Sequence, residues 1–77
     1  MEKKLSELKP GEKAVILKVI GSGLVRRRLV DLGLVRGSEI LVVRKAPLGD
    51  PIEFQLRGYN LSLRKKEAEN VIVEVEN

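Results

Sequence analysis

Cysteine, histidine and tryptophan, which carry much of enzyme and metal chemistry, are all missing from this 77-residue chain. Without cysteine, neither a disulfide nor a cysteine-based zinc site can form. Without histidine as well, a Ser-His-Asp triad, a Cys-His pair and a histidine general base are excluded. Any metal site would need carboxylates and backbone oxygens, which suit hard cations better than zinc or copper. The sequence therefore predicts a protein that is not an enzyme and holds no resident metal or cofactor.

Long apolar runs are also missing. The longest are residues 14–17 and the stretch around 40–43, far short of the roughly 18 residues that a membrane span requires. The charges at Glu2, Lys3 and Lys4 are not followed by the apolar segment of a secretory signal. We therefore expect a soluble, cytoplasmic chain.

What the chain does contain is valine and isoleucine. There are ten valines and five isoleucines, against two aromatic residues, Phe54 and Tyr59. Aliphatic, β-branched composition favours strands over helices. The length allows one small domain, covering residues 1–77.

Alternating apolar residues predict about five short strands. The first, residues 13–20, places Val15, Leu17 and Val19 on one face and Ala14, Ile16 and Ile20 on the other, and should be covered on both. The others are residues 39–45, 52–56 with alternate residues inward, 61–63 after a connection at 58–60, and 71–75. Because closure hides strand edges, we expect a small β-barrel.

One short helix interrupts the strands. Residues 24–32 follow Ser22, a good N-cap residue, and the spacing of Val25, Leu29 and Leu32 predicts one buried stripe. Gly33 suits the left-handed position after a helix, with Leu34 folding back. Single helical turns are expected at residues 5–8 and within residues 64–70.

Arg26 and Arg27 are the most conspicuous charges, because both face away from the predicted stripe. The cluster has two interpretations, a contact for a phosphate or an acidic partner, or a solvated helix face. The net charge of +4 also permits a nucleic-acid partner. That alternative lacks the aromatic platforms typical of such proteins, so no nucleic acid is expected.

Leu48 is the second candidate. It lies in the proline-stiffened loop Ala46-Pro47-Leu48-Gly49-Asp50-Pro51 and has no periodic apolar partner. An exposed leucine there predicts a partner contact, whereas a leucine folded over the end of the barrel would be structural. The predicted site therefore consists of Arg26, Arg27 and Leu48, all in the role of partner binding.

Several segments together resemble a known family. They include Leu5-x-x-Leu8-x-x-Gly11, Gly21-x-Gly23, Arg28-Leu29-x-x-Leu32-Gly33-Leu34, the Ala-Pro-Leu-Gly-Asp-Pro loop, and Arg57-Gly58-Tyr59-x-Leu61-Ser62-Leu63-Arg64. In this order they resemble the ferrous-iron transport protein A family, FeoA, over essentially the whole chain. The resemblance implies an SH3-like barrel with a helix inserted after the first long strand.

The resemblance also implies a function. The chain would be a small cytoplasmic accessory of ferrous-iron uptake that binds and modulates FeoB, a membrane permease with a cytoplasmic GTPase domain. It would meet the membrane only through that partner. Alternatives are a metal-responsive regulatory domain, as at the C-terminus of diphtheria-toxin-repressor-like regulators, or a small basic nucleic-acid-binding barrel. Self-association is compatible with apolar residues on both faces of two strands.

Overall fold

The computed structural model describes residues 1–75, and Glu76 and Asn77 lie outside the described residues. Strands and short helices alternate along the chain. In order they are β1 (Glu2–Lys4), a 3-10 turn (Leu5–Glu7), β2 (Lys13–Val19), α1 (Gly23–Asp31), β3 (Glu39–Lys45), β4 (Ile52–Leu56), β5 (Tyr59–Leu63), α2 (Lys65–Ala68) and β6 (Val71–Val75).

All of these strands join one antiparallel sheet in the order β1-β6-β2-β3-β4-β5. The molecule has near-equal extents of 29 × 27 × 23 Å, as expected for a sheet that curls around its core. The prediction of a mainly β fold with one helix after the first long strand is confirmed. The additional strand is β1, whose charged sequence has no strand pattern but whose Lys3 pairs with Val73 of β6.

A β-bulge corrects the predicted faces of β2. Ile16 lies opposite Val73, and Lys18 lies opposite the adjacent Ile72, so that Leu17 is an extra residue. Beyond the bulge the alternation changes phase, and Val19 lies opposite the buried Val71 and packs against the core. The prediction that Val15, Leu17 and Val19 share a face is therefore wrong for Val19.

The inward face of the sheet forms the core, with Phe54 of β4 as its largest buried side chain. Ile52, Phe54 and Leu56 are each 1% exposed or less, as their alternation predicts. Burying an aliphatic or phenylalanine side chain of this size contributes about 1.5–3 kcal/mol. The 3-10 turn adds the buried Leu5, consistent with the helical turn predicted there.

Helix α1 ends as predicted. Gly33 has φ +101°, its N–H donates to the Val30 carbonyl at 2.9 Å, and the N–H of Leu34 donates to the Leu29 carbonyl at 3.2 Å. This pair of bonds is a Schellman motif, which satisfies carbonyls at the helix end and turns the buried Leu34 back onto the helix.

The beginning of α1 differs from the prediction. Ser22 is the N-cap residue, but its side chain makes no capping bond, and its carbonyl accepts from the N–H of Val25 at 3.2 Å. Of the predicted stripe, Leu29 is buried and Leu32 is half-buried, whereas Val25 is 43% exposed. The helix is thus anchored through its second half, whereas the apolar residues of its first turn are exposed.

The connection between β4 and β5 is tighter than predicted. The turn is Arg57-Gly58, with φ 51° and 84°, which is typical of a type I′ hairpin turn. Tyr59 and Asn60 therefore belong to β5 and not to the connection. The predicted single helical turn and final strand are confirmed as α2 and β6.

Candidate partner-binding surface

The first turn of α1 is unusually apolar for an exposed segment. Leu24 is 84% exposed, and the neighbouring Val25 and Ile20 are 43% and 40% exposed. Leu24 and Arg27 are three positions apart, so they lie on the same side of the helix. This turn presents an apolar side chain beside a cation, a combination that is common where a partner docks.

The arginines of α1 have three different environments. Arg28 forms an ion pair with Glu67 of α2. Arg26 is exposed, and its Nε donates to the Val19 carbonyl at 3.3 Å, so one of its donors is already used. Arg27 is exposed and forms no ion pair within residues 1–75. Of the two predicted arginines, Arg27 has the more available charge.

Leu48 projects from a loop that is closed by hydrogen bonds. The N–H of Gly49 donates to the Ala46 carbonyl at 2.7 Å, and the N–H of Ala46 donates to the Pro51 carbonyl at 3.0 Å. Leu48 lies at the tip and is 96% exposed, so it does not fold over the end of the barrel. A side chain held in this way loses little conformational freedom when it enters a pocket.

Helix α2 connects these two features. At one end of α2 the backbone N–H of Lys65 donates to Asp50 Oδ1 of the Leu48 loop at 3.0 Å. Further along, Glu67 is paired with Arg28 of α1. The structure therefore links α1 and the Leu48 loop through α2. We call Leu24, Arg26, Arg27 and Leu48 the α1–loop surface.

Open clefts lie elsewhere on the surface. One, of about 450 Å³, lies over β3 and β4, where Arg57 Nη2 donates to the buried Ser38 Oγ at 2.7 Å. Another, of about 370 Å³, is lined by Arg44, Lys45, Ala46, Pro47, Pro51, Glu53 and Ser62. Within residues 1–75 no three carboxylates meet in an arrangement that could hold a metal ion. No helix in the same range is long and apolar enough to cross a bilayer.

Sequence reasoning missed Leu24. Its position three residues before Arg27, outside the stripe of Val25, Leu29 and Leu32, was the available signal. Its exposure follows from where the helix is anchored, which the helical pattern alone does not reveal.

Comparison with known proteins gives a consistent result. The model of the FeoA domain matches residues 3–75. An Fe(2+) transport protein A/Fe(2+) transporter FeoB fusion protein of Porphyromonas gingivalis is 44% identical over 72 residues, which are 94% of this chain and only 8% of that protein.

Two solved structures extend this likeness to the fold. A FeoA-like protein from Clostridium acetobutylicum has a TM-score of 0.92 and 45% identity, covering 99% of this chain and 88% of its own. The FeoA of Stenotrophomonas maltophilia, solved in complex with zinc and described as an SH3 domain protein, has a TM-score of 0.80 and 36% identity, covering 96% and 89%. The predicted SH3-like architecture is thus confirmed.

Proposed function

The chain belongs to the FeoA domain family, which takes part in ferrous-iron transport, and we propose that it is a non-catalytic, cytoplasmic accessory that binds the FeoB-type GTPase permease and modulates it. The observation that carries this proposal is the fusion relative, in which a segment 44% identical to this chain is joined to a FeoB transporter. Covalent linkage makes an encounter between two domains intramolecular and raises their effective concentration. The same contact between separate chains requires a dedicated surface.

The α1–loop surface is the docking site in this proposal. Arg27, which forms no ion pair within residues 1–75, provides one cation, Arg26, whose Nε is bonded to the Val19 carbonyl, adds a second, and Leu24 and Leu48 provide apolar side chains that are 84% and 96% exposed. Apolar anchors surrounded by charges are the usual composition of a binding hot spot and its rim. The proposed partner surface is therefore acidic and has apolar pockets.

Within residues 1–75 the fold has no groove lined by several aromatic residues, which the proline-rich ligands of many SH3 domains require. Such ligands dock in grooves lined with aromatic residues. Here Phe54 is fully buried, and the hydroxyl of Tyr59 is bonded to the Leu32 carbonyl. We therefore assign recognition to the helix and the loop rather than to an aromatic groove.

Modulation requires unequal binding. A small rigid domain shifts a GTPase between conformations only as far as it binds one of them more tightly than the other. The Arg28–Glu67 and Asp50–Lys65 contacts join both parts of the α1–loop surface to α2, which supports its role in making that distinction.

Charge reversal tests the proposal. The affinity of the chain for the cytoplasmic part of the permease is measured for the wild type and for Arg26→Glu/Arg27→Glu. We expect the double variant to bind at least about tenfold more weakly and with a smaller dependence on salt. Lys9→Glu/Arg36→Glu, which makes the same change in net charge at exposed positions elsewhere, should bind like the wild type. Equal binding by all three proteins would disprove the assigned surface.

A further inference from the structure

The sheet has two edge strands, β1 and β5, and only one of them is protected. β1 has three residues, two of them lysines. Its register with β6 directs the N–H groups of Glu2 and Lys4 outward, and Glu7 Oε1 accepts from that of Lys4 at 2.9 Å. Shortness, lysines and a bonded outward N–H are devices that prevent an edge from pairing with another strand.

The other edge, β5, has none of these devices. Its five residues, Tyr59 to Leu63, include no charge, no proline and no bulge. In a hairpin closed by a two-residue turn, the two residues that flank the turn, here Leu56 and Tyr59, form a hydrogen-bonded pair, and every second residue pair after them is hydrogen-bonded as well. The register therefore directs the backbone N–H and C=O groups of Tyr59, Leu61 and Leu63 toward β4.

Asn60 and Ser62 consequently direct their backbone N–H and C=O groups away from the sheet. Both residues are exposed, and neither makes a backbone–backbone hydrogen bond on that side within residues 1–75. The alternating groups of an edge strand match another extended main chain and not the surface of a helix. The structure thus presents a docking site for a strand.

We propose that β5 accepts an extended, acidic segment of the partner as an added strand of the sheet, an inference that rests on the function proposed above. One end of the edge adjoins the Leu48 loop of the α1–loop surface, because Lys65, just after β5, is bonded to Asp50 of that loop. At the other end, Tyr59 is bonded to Leu32 at the C-terminal end of α1. A segment lying on β5 would run between the Leu48 loop and the C-terminal end of α1.

The charges around β5 determine the chemistry of the segment. Arg57 precedes the strand and Arg64 follows it, and both are exposed. Two carboxylates close to the strand already have partners: Glu53 accepts from Arg44 Nε at 2.8 Å and from Asn60 Nδ2 at 3.2 Å, and Glu67 pairs with Arg28 and accepts from the Arg64 N–H at 2.9 Å. Carboxylates near the ends of the added segment would meet the guanidinium groups of Arg57, which also donates to Ser38 Oγ at 2.7 Å, and Arg64.

A second copy of the chain fits this edge poorly. The antiparallel self-pairing that uses the outward groups of both residues in each copy places Asn60 of one copy opposite Ser62 of the other. The same register brings Arg57 of each copy close to Arg64 and Lys65 of the other. Like charges at both ends oppose that dimer, whereas an acidic segment is favoured.

The 370 Å³ cleft gives the segment a side-chain contact. Arg44, Glu53 and Ser62 form one row across the sheet, and the cleft extends from that row to Pro47 and Pro51. A residue added opposite Ser62 continues the row, so its side chain lies at the entrance of the cleft. This contact would fix the register of the segment, which main-chain hydrogen bonds alone leave free.

Proline substitution on the two edges tests the inference. Ser62→Pro removes one outward N–H without removing a donor to β4, and proline is tolerated on edge strands. Glu2→Pro is the matched control, because it removes an outward N–H from β1. Circular dichroism establishes that both variants are folded. We expect Ser62→Pro to bind the permease's cytoplasmic part at least about tenfold more weakly than the wild type, since an unpaired partner group is left in the complex, and Glu2→Pro to bind normally.

The outcomes separate the two proposals. If the wild type does not bind, the proposed function fails and the strand docking fails with it. If the wild type binds and Ser62→Pro binds equally well, the function stands and the docking on β5 is wrong. Sedimentation velocity of the chain alone provides the third outcome, because a dimer that Ser62→Pro dissolves would assign the edge to a second copy instead.

A measurement without any substitution makes the same distinction. Amide hydrogen exchange by NMR should be fast at Asn60 and Ser62 in the free chain and at least about tenfold slower in the complex. The amides of Leu61 and Leu63 should be protected in both states, because they are bonded to β4. Unchanged exchange at Asn60 and Ser62 in a saturated complex would overturn the inference, even if proline at position 62 prevented folding.

Discussion

The hydroxyl of Tyr59 on β5 donates a hydrogen bond to the carbonyl of Leu32, immediately after helix α1. It therefore ties the helix to the far edge of the sheet. Besides the core contacts of Leu29, Leu32 and Leu34, α1 is positioned by this bond, by the Arg28–Glu67 ion pair and by the bond from Arg26 Nε to the Val19 carbonyl. The orientation of the α1–loop surface thus depends on a few contacts that can be removed singly.

Replacing Tyr59 by phenylalanine removes the bond and keeps the ring. We expect the free energy of unfolding to fall by about 1 kcal/mol, the usual net contribution of one hydrogen bond. Urea unfolding followed by circular dichroism measures this value. An unchanged denaturation midpoint would show that water replaces the phenolic hydroxyl at the Leu32 carbonyl without loss.

Gly33 is restricted both by its conformation and by its neighbour. Its φ is +101°, and a Cβ added there would lie 2.7 Å from Tyr59 Oη. We expect Gly33→Ala to destabilise the chain by about 2 kcal/mol, because an L-residue is strained in this conformation and the hydroxyl must move. The double variant Gly33→Ala/Tyr59→Phe should lose less than the sum of the single losses, because without the hydroxyl the clash is relieved. Strictly additive losses would mean that backbone strain alone acts at Gly33.

The alternation of apolar residues was sufficient to predict β3, β4 and β6, because in each strand alternate side chains face the core over most of its length. It failed beyond Leu17, where the bulge moves Val19 to the inner face. It failed again at Arg57, whose φ of 51° is rare for a residue with a side chain and leaves no trace in composition. Both features depend on pairing with another strand, which a local pattern does not contain.

The candidate surface was predictable to a similar extent. The exposure of Arg27 and Leu48 follows from their positions outside any periodic stripe, and the structure shows both side chains exposed. The use of Arg26 Nε by the Val19 carbonyl and the exposure of Leu24 depend on how α1 is seated on the sheet. Recognising that β5 is an edge strand requires the order of the strands in the sheet, and the order of the strands along the sequence does not provide it.

Glu67 and Arg28 should contribute unequally to the free energy of unfolding, although they form one ion pair. Glu67 also accepts from the backbone N–H of Arg64 at 2.9 Å, at the beginning of α2. We expect Arg28→Ala to cost less than about 1 kcal/mol, as for other exposed pairs, and Glu67→Ala to cost about 1–2 kcal/mol because a helix cap is lost as well. Glu67→Gln keeps the cap and should resemble Arg28→Ala. Urea unfolding in low and high salt checks the order, and equal losses for both alanine variants would refute the capping role.

Leu48 should matter for binding and not for folding. Since its side chain is 96% exposed, Leu48→Ser is expected to change the free energy of unfolding by less than about 0.5 kcal/mol. If the leucine enters a pocket of the permease, the affinity should fall at least about tenfold, the loss of one buried apolar anchor. Val43→Ser, an exposed apolar position on β3, is the matched control and should bind normally. Wild-type affinity in Leu48→Ser would remove the loop from the proposed surface.

Modulation of a GTPase makes a further quantitative prediction. The effect of the chain on the nucleotide affinity of the permease must equal the effect of the nucleotide on the affinity for the chain, because the two belong to one thermodynamic cycle. We expect the Kd of the chain to differ between the GTP-bound and GDP-bound forms of the cytoplasmic part, and the ratio of nucleotide affinities to shift by the same factor when the chain is saturating. The chain alone should not hydrolyse GTP, because it has no histidine and no P-loop lysine followed by serine or threonine. If the chain bound the GTP-bound and GDP-bound forms with equal affinity, it would be a binding partner of the permease but could not modulate it.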